Sequence, residues 1–292
     1  MTDIFLVLSE FPALGAALAI FLGACLGSFI NVVIYRLPLM MYKEWKSQCS
    51  ELNNDPILSN LPEYNLSLAS PRSSCPSCDH TIHPLHNVPL ISYLWLKAKC
   101  ANCGTRISPR YFLVELTCAL LALFIFSTYG ARYETLFILL FTFLLIPLIF
   151  IDIEYKLLPD DITYILLWSG IIYSLLGYGI NIEASLWGVI VGYLSLWSVY
   201  IAFKLFTGKE GMGHGDFKLL AAIGAWVGWQ QLLPVILISS LTGTIAGVTL
   251  MIIAKKQNKQ MTAIPFGPYL SIGGWITLTW GAELTHWYFS VM

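Results

Sequence analysis

Apolar runs close to the roughly 20 residues that a helix needs to cross a bilayer recur along the chain. They cover residues 11–35, 111–129, 135–151, 162–180, 185–206, 232–254 and 268–289, with a shorter run at 219–227. This pattern predicts an all-α polytopic membrane protein with about eight transmembrane helices, because a helix satisfies its own backbone in lipid. One polar segment, 36–110, is long enough to form a domain outside the bilayer. The expected organisation is a first span within 1–35, a four-cysteine domain at 36–110 between helices 1 and 2, and a seven-helix membrane domain at 111–292. Within the polar segment, 42–70 reads as an irregular insert around Asn53-Asn54-Asp55-Pro56. Gly15, Gly23, Gly27 and Ser28 give the first span small residues for close helix contact. Asn31 lies inside the same apolar run and needs a hydrogen-bond partner. Arg36 at its end reads as a snorkelling cation.

Composition and charge sharpen this picture. With 57% hydrophobic and 11% charged residues, the chain is not an ordinary soluble domain. A net charge of -1 offers nothing to a nucleic acid, so no such partner is expected. Eight of the 16 Lys and Arg residues lie between Arg36 and Arg110, which places that segment in the cytoplasm by the positive-inside rule. Eight spans with the N-terminus outside leave only Arg132 on the outer side and the other 15 basic residues inside. The first ten residues hold two acids and no Lys or Arg, unlike a cleavable signal.

The cysteines form the sharpest local signal. Cys75-Pro76-Ser77-Cys78 and Cys100-Ala101-Asn102-Cys103 are two CxxC pairs with 21 residues between them. Two such turns close a tetrahedral four-thiolate site, the arrangement structural zinc prefers. The gap is slightly longer than the usual template of roughly 15–20 residues. A redox pair or disulfides are the rival readings, and two pairs in one short segment favour metal. His80, His83 and His86 lie close enough in sequence to replace a thiolate but read as surface or supporting residues. Cys25 and Cys118 fall in spans as small packing residues, and Cys49 is left over.

Two acids carry the chemistry. Gly211-Met212-Gly213-His214-Gly215-Asp216-Phe217-Lys218 precedes the run 219–227. Its glycines permit positive φ and close backbone approach. Asp216 then stands at the mouth of an apolar helix, either as a cap or as a functional carboxylate at membrane depth. The returning span 135–151 ends at Asp152, which the topology brings to the same level. Glu154 and Glu210 read as solvated, and Asp160 and Asp161 after Pro159 read as caps. Glu115 and Glu283 lie in or near apolar runs and are lesser candidates. Two facing carboxylates in a partly dry site share one proton. One can act as general base on water while the other donates to a carbonyl oxygen. Paired intramembrane acids also serve proton or cation transport, so an ion-coupled transporter is the alternative. The glycines around Asp216 favour a site that admits a backbone, and a channel has no use for a cysteine domain.

These motifs together resemble the type IV prepilin peptidases, bacterial membrane aspartic peptidases. The resemblance rests on Gly27-Ser28-Phe29-Ile30-Asn31-Val32, the two CxxC pairs, Ile107-Ser108-Pro109-Arg110-Tyr111, Asp152 with Leu158-Pro159-Asp160, and Gly213-His214-Gly215-Asp216-Phe217-Lys218. It implies Asp152 and Asp216 as the catalytic pair, supported by Gly213, Gly215 and Lys218. It implies cleavage on the cytoplasmic side after a Gly that ends a short basic leader. The substrates implied are prepilins and type II secretion pseudopilins, with the pilus or secretion assembly machinery as partner and the bacterial inner membrane as location. It further implies N-methylation of the new N-terminal residue from S-adenosylmethionine, linked to the large cytoplasmic segment. No Gly-rich methyl-donor motif follows a strand, and the donor site is unassigned. Members often carry Gly before the Lys/Arg-Cys of the second pair, where this chain has Ala98. A scaffold without activity is a third reading, under which Asp→Asn changes at the pair alter no chemistry.

Overall fold

The computed structural model describes residues 10–48, 66–209, 211–257 and 264–291, with Phe5 and Leu8. The chain divides into two compact units, Met1–Pro147 and Leu148–Met292. Helices dominate both. The described residues contain no strand, only the isolated bridges Ser74–Thr81 and Lys99–Arg106.

Unit 1 begins with α1, Pro12–Gln48. It runs past the expected end of the first span because Leu37–Lys46 stays free of glycine and Pro38 is tolerated inside it. Residues 42–48 are therefore helical rather than irregular. The remainder of that insert, with Cys49, lies outside the described residues up to 65. After the cysteine segment come a 3-10 turn at Pro84–Asn87, the short α2 at Ile91–Trp95, and α3 at Pro109–Tyr129. Ser108 caps α3 through Arg110 N–H, and Pro109 occupies its first turn.

Glycines let α1 and α3 approach closely. A Cβ on Gly23 would lie 2.7 Å from the Cys118 carbonyl oxygen, and one on Gly27 would lie 2.8 Å from Glu115 Cα. Gly15 meets the Phe126 ring in the same way. This is small-residue packing, which replaces the hydrophobic drive that lipid cannot supply. Cys118 is fully buried there. The expected partner of Asn31 is the Tyr111 carbonyl oxygen, which accepts from Nδ2 at 3.0 Å.

Arg36 corrects the sequence reading. It does not snorkel, since it is only 7% exposed. Its guanidinium donates to the Ser67, Leu68 and Pro71 carbonyl oxygens at 2.8, 3.3 and 2.7 Å. A loop that folds back over α1 covers the cation, and no hydrophobic pattern announces such a loop.

The helix α4, Tyr133–Tyr155, crosses the unit boundary. Unit 2 contains its C-terminal end, then α5 at Asp160–Leu175, α6 at Ile182–Thr207, α7 at His214–Val227, α8 at Leu232–Lys256 and α9 at Gly267–Val291. A 3-10 turn at Trp229–Gln231 leads into α8, and α9 is interrupted at Trp280. Against α7 pack α5, α6 and α9. Every residue of α7 from Leu219 to Val227 is buried, as expected for a helix apolar on all sides. Gly188 and Gly224 meet backbone to backbone, and Ser185 donates to the Ala225 carbonyl oxygen at 2.7 Å. Trp226 fixes the other side by donating from Nε1 to the Leu166 carbonyl oxygen at 2.8 Å.

The lengths bear on the membrane. Among the described residues five helices are long and apolar enough to cross it: α1, α3, α4, α6 and the stretch through α8. At 16 and 14 residues, α5 and α7 reach only about 24 and 21 Å, short of a core of roughly 30 Å. This is a multi-pass membrane protein. Its outward faces suit lipid, with Leu205 and Phe206 of α6 and Leu233 and Leu241 of α8 all exposed.

Candidate functional site

Asp152 lies in the last turn of α4 and Asp216 in the first turn of α7. Both are buried, at 6% and 7% exposure. The two carboxyl groups are within electrostatic reach of each other. An isolated buried carboxylate is costly, so burying two together requires a shared proton or a strong donor.

The donor comes from α9. Its first residue, Gly267, gives a backbone hydrogen bond to Asp152 Oδ2 at 2.9 Å. The positive end of that helix therefore faces the acid. A Cβ on Gly267 would lie 2.6 Å from the same oxygen and 3.0 Å from Leu158. Only glycine lets the backbone come this close. Sequence reasoning passed over Gly267; its signal was the Gly267-Pro268 pair at a helix start, since Pro suits the first turn.

Leu158 is the second residue whose role was missed. It packs against Gly267 and also against Gly215, where a Cβ would lie 2.9 Å away. Leu158 thus sits beside the backbone on both sides of the acid pair. Lys156 reverses the chain after α4 in the left-handed region, φ 55°, with its N–H on the Asp152 carbonyl oxygen. This ends the helix one turn beyond Asp152.

The expected positive φ in the Gly211–Gly215 stretch is not found. Gly213 is the extended N-cap of α7, φ −76° and ψ 146°, and the left-handed glycines are Gly104, Gly130, Gly177, Gly208 and Gly228. The glycines serve closeness instead: Gly215 against Leu158, Gly211 against the Phe203 ring. Asp216 occupies the third helical position and reaches back towards the Gly213 N–H. It therefore does assist its helix end, but a cap alone does not account for its burial beside Asp152.

Asp160 is not the cap of α5. Pro159 holds that position without a side-chain bond, and Asp160 accepts from Lys218 Nζ at 2.8 and 2.7 Å. The pair ties α5 to α7 two residues after Asp216. His214 lies among rings, 5.3 Å from Tyr200 and 5.5 Å from Phe217. Glu115 is spent inside unit 1, where Oε2 accepts the Leu90 N–H at 2.8 Å. Glu283 is exposed.

In unit 1 the four cysteines come together, their Sγ atoms all within 4.8 Å of one another. Cys75 and Cys103 sulfurs are 3.8 Å apart, the separation of about 3.8 Å that tetrahedral ligands on Zn–S bonds of roughly 2.3 Å would have. The two turns repeat one geometry. Cys75 N–H donates to the His80 carbonyl and Cys100 N–H to the Thr105 carbonyl, at 3.0 and 2.8 Å. Asp79 and Gly104, each just after the second cysteine, are left-handed with φ 53° and 70°. Asn102 donates to Cys78 Sγ at 3.7 Å through its side chain and to Cys100 Sγ at 3.5 Å through its backbone. Hydrogen bonding from Thr105, first its hydroxyl and then its backbone, brings the Cys103 thiol down to about 6, and the thiolate is the form that binds metal. The cluster contains none of His80, His83 or His86. Cys25, Cys118 and the four cluster cysteines are all free thiols.

Ala98 departs from the family pattern at a demanding point. It is left-handed, φ 57°, directly after Lys97 at φ 50°. A Cβ there is strained where glycine is not. Replacing Ala98 with Gly is expected to raise the thermal stability of the cysteine segment by up to about 1 kcal/mol; an unchanged or lowered midpoint in a melting scan would count against the strain.

Comparison with known proteins agrees with this architecture. The family model for the bacterial peptidase A24 N-terminal domain matches residues 21–129, and that for the type IV leader peptidase family matches 138–248. A prepilin leader peptidase/N-methyltransferase of Aeromonas hydrophila is 48% identical over 278 residues, 95% of this chain and 94% of the relative. Proteins of the same description from Pseudomonas aeruginosa and Legionella pneumophila are 46% and 41% identical, covering 96% and 90% of each chain. No solved structure matches. On this likeness and these motifs, the chain belongs to the type IV leader peptidase family.

Proposed function

We propose that this protein is a membrane aspartic endopeptidase that removes the basic leader of prepilins and pseudopilins after a Gly, and then N-methylates the new N-terminus. The observation that carries the reading is the burial of Asp152 and Asp216 at the ends of different helices, within electrostatic reach, with Gly267 N–H on one of them. Asp152 Oδ2 is taken up as an acceptor, which leaves Asp152 Oδ1 and Asp216 to hold the shared proton. One carboxylate takes a proton from water as its oxygen bonds the Gly carbonyl carbon. The other, protonated, donates to the carbonyl oxygen. When the tetrahedral intermediate collapses, the C–N bond breaks and the departing amine takes up a proton from the pair. Gly215 supports the site by its closeness to Leu158, Gly213 through the backbone N–H that Asp216 reaches back to, and the Lys218–Asp160 pair by holding α5 on α7.

The family resemblance and the chain's charge distribution support eight spans with a periplasmic N-terminus, an inner-membrane location, an active site facing the cytoplasm, and contact with the pilus or type II secretion assembly machinery. The organisation into 1–35, 36–110 and 111–292 belongs to the same reading. Zinc on Cys75, Cys78, Cys100 and Cys103 would have no open position, so its role is structural. The purified protein is expected to carry about one zinc per chain by elemental analysis, and Cys103→Ser to lose most of it. Full zinc retention in that variant would remove the cluster from consideration.

S-adenosylmethionine would supply the methyl group. The cavity beside Arg36 does not fit it, because the two arginines that line it oppose a sulfonium cation. The test is mass spectrometry of a prepilin-type substrate incubated with the purified protein and S-adenosylmethionine. Loss of the leader after Gly, with one methyl group added to the mature chain, is the expected result. An intact substrate with a folded protein would overturn the peptidase reading, and ion flux in liposomes would then favour the transporter.

A further inference from the structure

Unit 1 holds a charge that none of its described residues neutralises. Arg36 is 7% exposed, yet its partners are three carbonyl oxygens. No carboxylate pairs with it among the described residues. Contrast Lys218, far more exposed, which has Asp160. A buried cation is costly unless paired. Arg36 also lines a cavity of about 270 Å³ together with Val32, Leu68, Arg72, Ile82 and Asn87. Arg72 is exposed and has no hydrogen bond or ion pair among the described residues. Two arginines therefore line a space whose other described walls are neutral.

We propose that this cavity binds the phosphate of an anionic phospholipid headgroup, held by Arg36 and Arg72. Guanidinium groups match phosphate oxygens in pairs of parallel hydrogen bonds, so two of them suit a tetrahedral anion. The lipid source follows from position. Val32 and Arg36 are one turn apart on one face of α1, and Val32 belongs to the apolar run that ends at Tyr35. The cavity therefore opens at the level where that helix leaves hydrocarbon for the headgroups. Basic pockets at this depth attract anionic lipid. Asn87 adds a neutral amide for a headgroup hydroxyl.

The test is native mass spectrometry of the full chain in detergent, titrated with phosphatidylglycerol, phosphatidylcholine or inorganic phosphate. Removing the Arg36 clamp risks unfolding the 67–71 loop, so Arg72→Gln carries the experiment, with Arg72→Lys beside it. Wild type is expected to retain phosphatidylglycerol over phosphatidylcholine, Arg72→Gln to bind it roughly fivefold more weakly, and Arg72→Lys to recover part of the loss. Equal retention by wild type and Arg72→Gln, or equal retention of the two lipids, would overturn the proposal. Binding of inorganic phosphate without lipid would assign the cavity to free phosphate and overturn the lipid assignment.

Discussion

Asp216→Asn is expected to abolish leader cleavage, lowering the rate by about 10⁴-fold or more, while the helical fold survives. Asn matches Asp in shape, so the packing around α7 is preserved, but it can neither take a proton from water nor share one with Asp152. Asp152→Asn should do the same. Its side chain keeps an oxygen that can accept from Gly267 N–H, so the helix end remains satisfied while the chemistry is lost. Rates from a quenched time course, with circular dichroism on the same preparations, separate the two effects. A variant that cuts at even a tenth of the wild-type rate would exclude its residue from the catalytic pair. Loss of secondary structure along with activity would instead make the acid a structural element.

The second large effect concerns a residue without a side chain. Gly267→Ala places a Cβ 2.6 Å from Asp152 Oδ2 and 3.0 Å from Leu158. The carboxyl group must move by a few tenths of an ångström or more, because the added atom belongs to a helix start and cannot swing away. A displacement approaching 1 Å at a reacting group can cost about 10²-fold in rate, so kcat should fall by that order. Gly213→Ala is the control. Its Cβ would meet Asp216 Oδ2 at 3.6 Å, an ordinary contact, and φ is −76° there. It should therefore keep activity within several-fold of wild type. Similar losses in the two variants would mean that the Gly267 contact does not set the position of Asp152.

The spans and the chemistry were legible because both are written in residue type and spacing. Helices α3, α4, α6 and α8 follow the apolar runs to within a few residues, since length and hydropathy alone decide a membrane helix. The four cysteines announce their cluster by two CxxC spacings, and Gly23 and Gly27 announce a close helix contact, though not that α3 is the partner. Asp152 and Asp216 stood out as carboxylates at the ends of apolar runs. What stayed hidden acts through the backbone. The N–H of Gly267 and the carbonyl oxygens of Ser67, Leu68 and Pro71 are present in every residue, so no pattern marks them. Arg36 accordingly read as a snorkelling side chain. The glycines before Asp216 were legible as special but not as to why: absence of a Cβ matters at Gly211 and Gly215, while positive φ does not. Asp160 read as a cap because acids at helix starts usually are, and its partner Lys218 lies 58 positions away.

We propose that Asp152 and Asp216 act as one catalytic unit. Single-turnover cleavage of a prepilin-type substrate by wild type, Asp152→Asn, Asp216→Asn and the double variant tests it most directly. Groups that work as a unit are strongly non-additive. Each single variant is expected to fall to the rate of the double. Losses that multiply, or a single variant that still cleaves well above the double, would contradict it.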